Sequence, residues 1–181
     1  MENKKTKVDI ILPNYNSIKY IDETIQSVIN QSYKNWRLIL IDDFSKIETR
    51  KKIKKYEKLK KIKIYWLKKN RGAAYCRNLG LKNSSSKYIA FLDSDDVWDK
   101  NKLKKQIQFM KKNNYNFTYT YYKTIGSKKR FIKPPKIFNF DRFTKNTSIA
   151  TSTMIVKKEA SRGIKFTDTK VCEDYFFKCQ I

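Results

Sequence analysis

Residues 88–98 read YIAFLDSDDVW: an unbroken apolar run from Tyr88 to Leu92, then three carboxylates within four positions, Asp93, Asp95 and Asp96. An apolar run of this length without polar alternation predicts a strand buried on both faces. Carboxylates crowded just past such a strand repel one another. A divalent cation relieves that repulsion, and hard oxygen ligands suit Mg²⁺ or Mn²⁺. The same residues also suit a polar turn in which Asp96 caps the next helix.

The pattern repeats on either side. Val8 to Leu12 (VDIIL) is an apolar run closed by Pro13, and Trp36 to Ile41 (WRLILI) ends at Asp42-Asp43. Ile62 to Leu67 predicts a third strand, ahead of Tyr88 to Leu92 as the fourth, and Phe117 to Tyr122 a fifth. Between them fall helical patterns over 18–31, 46–60, 72–83 and about 100–112, the first carrying Ile21, Ile25, Val28 and Ile29 on one face. Alternating strands and helices with apolar rather than alternating strands predict an α/β fold whose sheet is covered on both faces. Polar residues gather after the strand ends, at Asn14–Asn16, Asp42-Asp43 and Asp93–Asp96. In open α/β sheets that edge holds the ligand. Residues 123–150, with Pro134-Pro135 and several Phe, predict an irregular flap. Thr153 to Val156 predicts a further strand, and 173–181 a helix.

The chain has 181 residues, a net charge of +25, 40% hydrophobic and 14% aromatic residues. That apolar content supports a core, which excludes wholesale disorder. No run approaches the roughly 18 apolar residues of a membrane-spanning helix, and the N-terminal apolar stretch is too short for a signal peptide. No histidine is present, which removes His-based triads and His ligands. Cys76, Cys172 and Cys179 form no CxxC pair and predict reduced thiols in a cytoplasmic protein. Only seven of the 42 basic residues are Arg, and Lys, Asn and Ile together mark A/T-rich codon usage. The scattered Lys therefore reads first as solvated helix faces, which would also attract an anionic membrane surface. The aromatics lie in apolar runs rather than on a basic platform, which speaks against nucleic acid as a partner.

Taken singly, the remaining polar features have two readings each. Asp42-Asp43 suits either a cap of the following helix or an acceptor for a nucleobase or ribose. Arg71 and Arg77, around Gly72, suit either a solvated helix or a phosphate counter-charge. Glu173-Asp174 favours the start of a helix.

In order and spacing, VDIILPNYN…LILIDDFS, NRGAAYCRN, YIAFLDSDDVW and a distant CEDY resemble glycosyltransferase family 2. The resemblance runs from about residue 7 to 181 and is most specific over 8–98. It implies a single GT-A domain over 1–181, a Rossmann-like three-layer αβα sandwich with a mostly parallel central sheet. Its nucleotide-binding part would span about 7–100. An acceptor and catalytic-base part, expected to be incomplete, would span about 101–181. It implies a metal-dependent inverting transferase that moves a sugar from a nucleotide sugar, a UDP-sugar, to a saccharide or lipid-linked saccharide in surface-glycan biosynthesis.

By the same resemblance, Pro13, Tyr15 and Asn16 would hold the base, with Tyr15 flanking uracil and Asp43 hydrogen-bonding it. Arg77 would lie near the diphosphate, Asp93 would contact ribose or metal-bound water, Asp95 would bind Mn²⁺ or Mg²⁺, and Asp174 would be the general base. The expected place is the cytoplasm, peripheral at the inner face of the membrane. A nucleotidyltransferase is the nearer enzyme rival, but its usual Gly-rich loop after the first strand is replaced here by Pro13-Asn14-Tyr15-Asn16. A relative that binds nucleotide and transfers nothing is the other alternative.

Overall fold

The computed structural model describes residues 7–126, 128–145, 148–169 and 173–181. Cys172 lies outside them. The first half alternates strictly: β1 (Val8–Asn14), α1 (Ile21–Ile29), β2 (Trp36–Asp42), α2 (Ile47–Lys54), β3 (Ile62–Trp66), α3 (Gly72–Asn83) and β4 (Tyr88–Phe91). After it come α4 (Lys102–Asn113), β5 (Phe117–Thr118), β6 (Tyr122–Lys123), β7 (Phe131–Ile132), α5 (Phe140–Thr144), β8 (Ile155–Lys157) and α6 (Glu173–Gln180). Among the described residues the main sheet has the order β3-β2-β1-β4-β8-β5, and β6 and β7 form a separate ribbon.

Strand β1 pairs in parallel with β2 and β4, and β2 in parallel with β3. Strand β8 is antiparallel to both β4 and β5. The mostly parallel sheet is thus the expected one. Its strands bury both faces, as their unbroken apolar sequences require. Val8, Ile10 and Leu12 face α1 and α4 through Ile21, Ile25, Leu103 and Ile107. Ile11, Ile39 and Phe91 face the opposite layer through Ala74, Phe143 and Phe177. Gly80 lets α3 approach the sheet closely, because a Cβ there would meet the Ile11 side chain at 2.4 Å.

Two expected strands differ. The fifth stops at Thr118, because Tyr119 turns toward the flap: its hydroxyl donates to the Pro135 carbonyl and its ring lies 5.8 Å from that of Phe138. Residues 151–153 form a 3₁₀ turn closed by Thr153 N–H to Ala150 and Met154 N–H to Thr151, so β8 begins only at Ile155.

Asp9, fully buried in β1, is completely satisfied. Arg37 donates to both its oxygens at 3.0 and 2.8 Å, and the Ser85 and Ser86 N–H groups reach it at 2.7 and 3.0 Å. Burial alone would raise this carboxyl. The Arg37 and backbone hydrogen bonds outweigh it and hold it below its ordinary value of 3.8.

Lys102 departs from the solvated-face reading of the lysines. It is buried, donates to Gln106 Oε1 at 2.8 Å and lies 4.3 Å above the Trp98 ring, with no carboxylate among the described residues bonded to it. Burial pulls its ammonium down to about 7 from 10.5. Between those values the unfolded chain binds a proton that the native state does not, so this residue's contribution to stability rises with pH across that interval. Thermal melts from pH 7 to 10 are expected to show this rise, and Lys102→Met is expected to flatten it.

Candidate active site

The three parallel strands nearest the middle of the sheet end at one edge, and the polar loops that follow them enclose a cavity of about 210 Å³. Pro13, Tyr15, Asp43, Arg77, Asp93 and Asp95 all line it, together with Asn14, Ala73, Cys76 and Ser94. Residues 80 positions apart in sequence are thereby gathered as the strand-end reading expected. Asn16 and Asp174 are not among the lining residues.

The loop after β1 is braced from below. Asn14 Nδ2 donates to Asp42 Oδ1 at 2.9 Å and to Ser45 Oγ at 3.2 Å. Asn16 sits in the left-handed region (φ 51°), and its side-chain oxygen accepts the Lys46 N–H at 2.8 Å. That bond fastens the loop to Lys46, the residue before α2. The turn it makes leaves Tyr15 half exposed at the cavity mouth, free to lie against a planar ring.

Asp43 caps a helix, though not the one that follows it. Its oxygens accept the N–H groups of Arg71 at 2.7 Å and Gly72 at 2.8 Å, so it closes the N-terminus of α3. Gly72 takes φ +84°, which a side chain would strain. The Cys76 thiol also bonds this carboxylate, and the group still borders the cavity. Asp42 is consumed internally, by Asn14, the Ser45 N–H and Arg50 Nε at 2.7 Å.

Arg77 is the hub of the charged residues. Its side chain is only 6% exposed; Nη2 donates to Asp93 Oδ1 at 2.7 Å and Nη1 to Glu173 Oε1 at 2.6 Å. It joins the acidic loop after β4 to the first turn of α6, where Glu173 lies 96 residues beyond Arg77 in sequence. Burial opposes its charge, but Asp93 and Glu173 outweigh burial and raise its pKa further. Its buried Nε has no acceptor among the described residues. A buried orphan donor beside a cavity is what an anionic ligand would satisfy.

Asp174 lies next to Glu173 but points to different partners. Thr151 Oγ1 and Lys178 Nζ both donate to its Oδ2, and the same ammonium reaches the Ile149 carbonyl at 2.7 Å. Burial raises this carboxyl, while Lys178, Thr151 and the nearby Arg77 lower it more, leaving it below 3.8. At neutral pH it is therefore a fixed carboxylate able to accept a proton. Asp96, in the same acidic loop, moves the other way, raised by partial desolvation and by Asp93 and Asp95 despite a hydrogen bond from Ser152. Burial, with Asp43 close by, pushes the Cys76 thiol up to about 12, so it lines the cavity as a neutral group.

The donor set fits a divalent metal. Asp95 is exposed on the cavity wall, and Asp93 keeps the oxygen that Arg77 does not use. Magnesium-type cations take one or two carboxylates and complete their shell with substrate phosphates and water. No group of three or more acidic or sulfur ligands is gathered among the described residues.

Several residues of this site were not visible in the linear pattern. Thr151, Ser152 and Lys178 sit in unremarkable sequence, and only the fold brings them to Asp93 and Asp174. Glu173 was legible as half of an acidic pair, but its bond to Arg77 was not.

The sequence pattern of the family described as glycosyl transferase family 2 matches residues 9–176. The chain belongs to that family. It is 36% identical over 179 residues to the "Putative teichuronic acid biosynthesis glycosyltransferase TuaG" of Bacillus subtilis, covering 96% of this chain and 71% of that protein. It is 38% identical to WfgD of Escherichia coli, a UDP-Glc:alpha-D-GlcNAc-diphosphoundecaprenol beta-1,3-glucosyltransferase, over 93% of this chain and 67% of that protein. Among solved structures, TarS 1–349 of S. aureus in complex with UDP superposes with a TM-score of 0.82 at 25% identity, over 94% of this chain and 53% of that one. The mannosyltransferase PcManGT of Pyrobaculum calidifontis, in complex with GDP-Man and Mn²⁺, shares the fold with a TM-score of 0.72 at 14% identity. The GT-A fold expected from the sequence is the fold observed. The chain spans about half the length of these two solved proteins and 19% of a matching Rickettsia bellii glycosyltransferase.

Proposed function

We propose that this chain acts as a metal-dependent inverting glycosyltransferase. Its donor is a UDP-sugar and its acceptor a saccharide or lipid-linked saccharide in surface-glycan biosynthesis. One observation carries the reading: Arg77 ties the acidic loop that borders the cavity to the helix turn that bears Asp174. Donor-side charges and a candidate base are thereby held in one frame. The relatives' UDP complex and diphosphoundecaprenol acceptor support the choice of donor and acceptor class.

In this reading Tyr15 lies against the uracil, and the cavity between Asp43 and Asp93 holds the nucleoside. Mn²⁺ or Mg²⁺, held by Asp95 and the free oxygen of Asp93, would neutralise charge on the leaving diphosphate. Arg77 keeps Asp93 oriented and offers its unpaired Nε to that anion. The acceptor oxygen attacks the anomeric carbon as Asp174 takes its proton, and the bond to the diphosphate breaks with its electron pair leaving on the phosphate oxygen. One displacement with one base inverts the anomeric centre, with no second nucleophilic carboxylate as in retaining hydrolases.

Specific binding stabilises the folded state by mass action. Melting is expected to shift upward with UDP or a UDP-sugar in the presence of Mn²⁺ and much less with GDP-mannose, and Asp95→Ala is expected to remove the Mn²⁺-dependent part. No shift with any nucleotide would overturn the reading. Binding without turnover on lipid-linked acceptors would leave the nucleotide-binding alternative in its place.

No helix among the described residues is long and apolar enough to cross a membrane. A peripheral contact at the inner face of a cytoplasmic membrane is the place we propose. The stretch around the ribbon β6–β7 supports it: Ile125, Phe131 and Ile137 are exposed in a sequence that also carries exposed Lys123, Lys128, Lys129, Arg130, Lys133 and Lys136. Apolar side chains rimmed by cations suit anionic lipid, each cation adding about 1 kcal/mol near the surface. Co-sedimentation with phosphatidylglycerol vesicles, absent with phosphatidylcholine alone, is expected, and Ile125→Glu with Ile137→Glu is expected to weaken it. Equal sedimentation with both vesicle types would remove the contact.

A further inference from the structure

We propose that the buried turn Thr151-Ser152-Thr153 is a positioning element that couples the acidic loop to the base: Ser152 sets the loop's geometry and Thr151 sets the proton affinity of Asp174. The inference rests on the site reading given above. It begins from β8, which runs against β4 in the main sheet, so the residues that precede β8 lie at the same sheet edge where β4 ends. The Phe91 N–H reaches the Met154 carbonyl at 3.4 Å, so the turn starts beside the first residues of the acidic loop.

Ser152 then holds that loop at both ends. Its hydroxyl accepts the Asp93 N–H at 2.9 Å and bonds Asp96, while its carbonyl accepts Trp98 Nε1 at 2.8 Å. One residue earlier, Thr151 Oγ1 donates to Asp174 Oδ2. One residue later, the Thr153 carbonyl accepts Gln106 Nε2 at 3.1 Å, which pins the turn to α4. All three residues are buried. The Ser152 hydroxyl meets the acidic loop and the Thr151 hydroxyl meets Asp174, while that of Thr153 donates to the Ala150 carbonyl at 2.6 Å. Neither side chain lines the cavity, so both act through Asp93, Asp96 and Asp174. Besides Thr151, the charged groups around Asp174 are Lys178 and Glu173 on its own helix and Arg77 from α3.

The two roles separate by experiment on the full chain. One readout is the titration midpoint of the Asp174 carboxyl by carbon NMR, assigned with Asp174→Asn. The other is the affinity for UDP with and without Mn²⁺ by calorimetry. Thr151→Val is expected to raise the Asp174 midpoint by about one pH unit, since a hydrogen bond to the charged form is lost. It should leave Mn²⁺-dependent UDP affinity as it was. Thr151→Ser, which keeps the hydroxyl, should hold the midpoint near that of the parent chain. Ser152→Ala should weaken UDP binding in Mn²⁺ about tenfold with the Asp174 midpoint unmoved, and Ser152→Thr should retain most of the affinity. An unmoved midpoint in Thr151→Val, or parental Mn²⁺-dependent affinity in folded Ser152→Ala, would overturn the proposal. Asp95→Ala in the parent chain tests the underlying reading separately: if it leaves Mn²⁺-dependent UDP affinity unchanged, the metal assignment fails and not the turn.

Discussion

Asp174→Asn is expected to lower sugar transfer about 10²- to 10⁴-fold, the usual contribution of a positioned general base, while leaving UDP affinity in Mn²⁺ unchanged. The substitution keeps the shape of the side chain and an oxygen that can accept from Thr151 or Lys178, but removes the charge that takes the proton. Lys178 is not left bare, because its ammonium also reaches the Ile149 carbonyl at 2.7 Å. The loss should therefore fall on turnover with only a small drop in melting temperature. Transfer kept near the parental rate would remove Asp174 from the base's role.

The pH dependence of the parent chain sharpens this. Asp174 and Asp9 are both held below 3.8 in the folded state. A carboxyl lowered on folding adds stability at pH above its unfolded value, and that stability is lost as pH falls through the lowered folded value. Asp174 is ionised across the neutral range, so, if it is the base proposed above, acid should not switch transfer off before it starts to unfold the chain. Parallel measurement of kcat/KM and of the folded fraction should show the two declining together below pH 3.8.

What the sequence disclosed and what it concealed divide along physical lines. Strands such as YIAFL and WRLILI are legible because burial on both faces leaves no polar alternation, and the edge where they end follows from parallel pairing. Pro13, Tyr15, Asp43, Asp93 and Asp95 come to one cavity because each sits within a few residues of such an end, and α3 carries Arg77 to it. The partners of these groups were hidden. Whether Asp43 caps the helix after it or the one beginning 29 residues later depends on how α3 lies against β1 and β2, which local preference does not encode. Lys102 is indistinguishable from its solvated neighbours until α4 turns it against Trp98. Asn16 has the composition of a binding loop, yet its left-handed backbone turns its side chain to α2.

Arg77→Met carries the largest expected cost to stability and separates pairing from phosphate contact. The guanidinium is buried between Asp93 and Glu173, whose side chains are 31% and 24% exposed. Removing one partner of a buried ion pair typically costs about 3–5 kcal/mol, because the remaining charge stays desolvated. Here water reaches both carboxylates in part, which places the expected loss toward the lower end of that range. For a chain of this length each kcal/mol lowers the melting temperature by about 2–4 °C, so a drop of about 6–12 °C is expected. Arg77→Lys should recover only part of it, since an ammonium is a point charge that cannot match the fork geometry spanning two carboxylates. Adding Glu173→Gln to Arg77→Met should restore some stability, because it removes one of the two stranded charges; additive losses would show that the pairing is not what holds α6 to the acidic loop. UDP affinity in Mn²⁺ supplies the second axis. If Arg77 acts only through Asp93, the double variant should regain little affinity. Asp93→Asn in the parent chain should then reproduce most of the loss. If its free Nε meets the diphosphate directly, Arg77→Met should weaken UDP more than Asp93→Asn does, and by more than it weakens uridine.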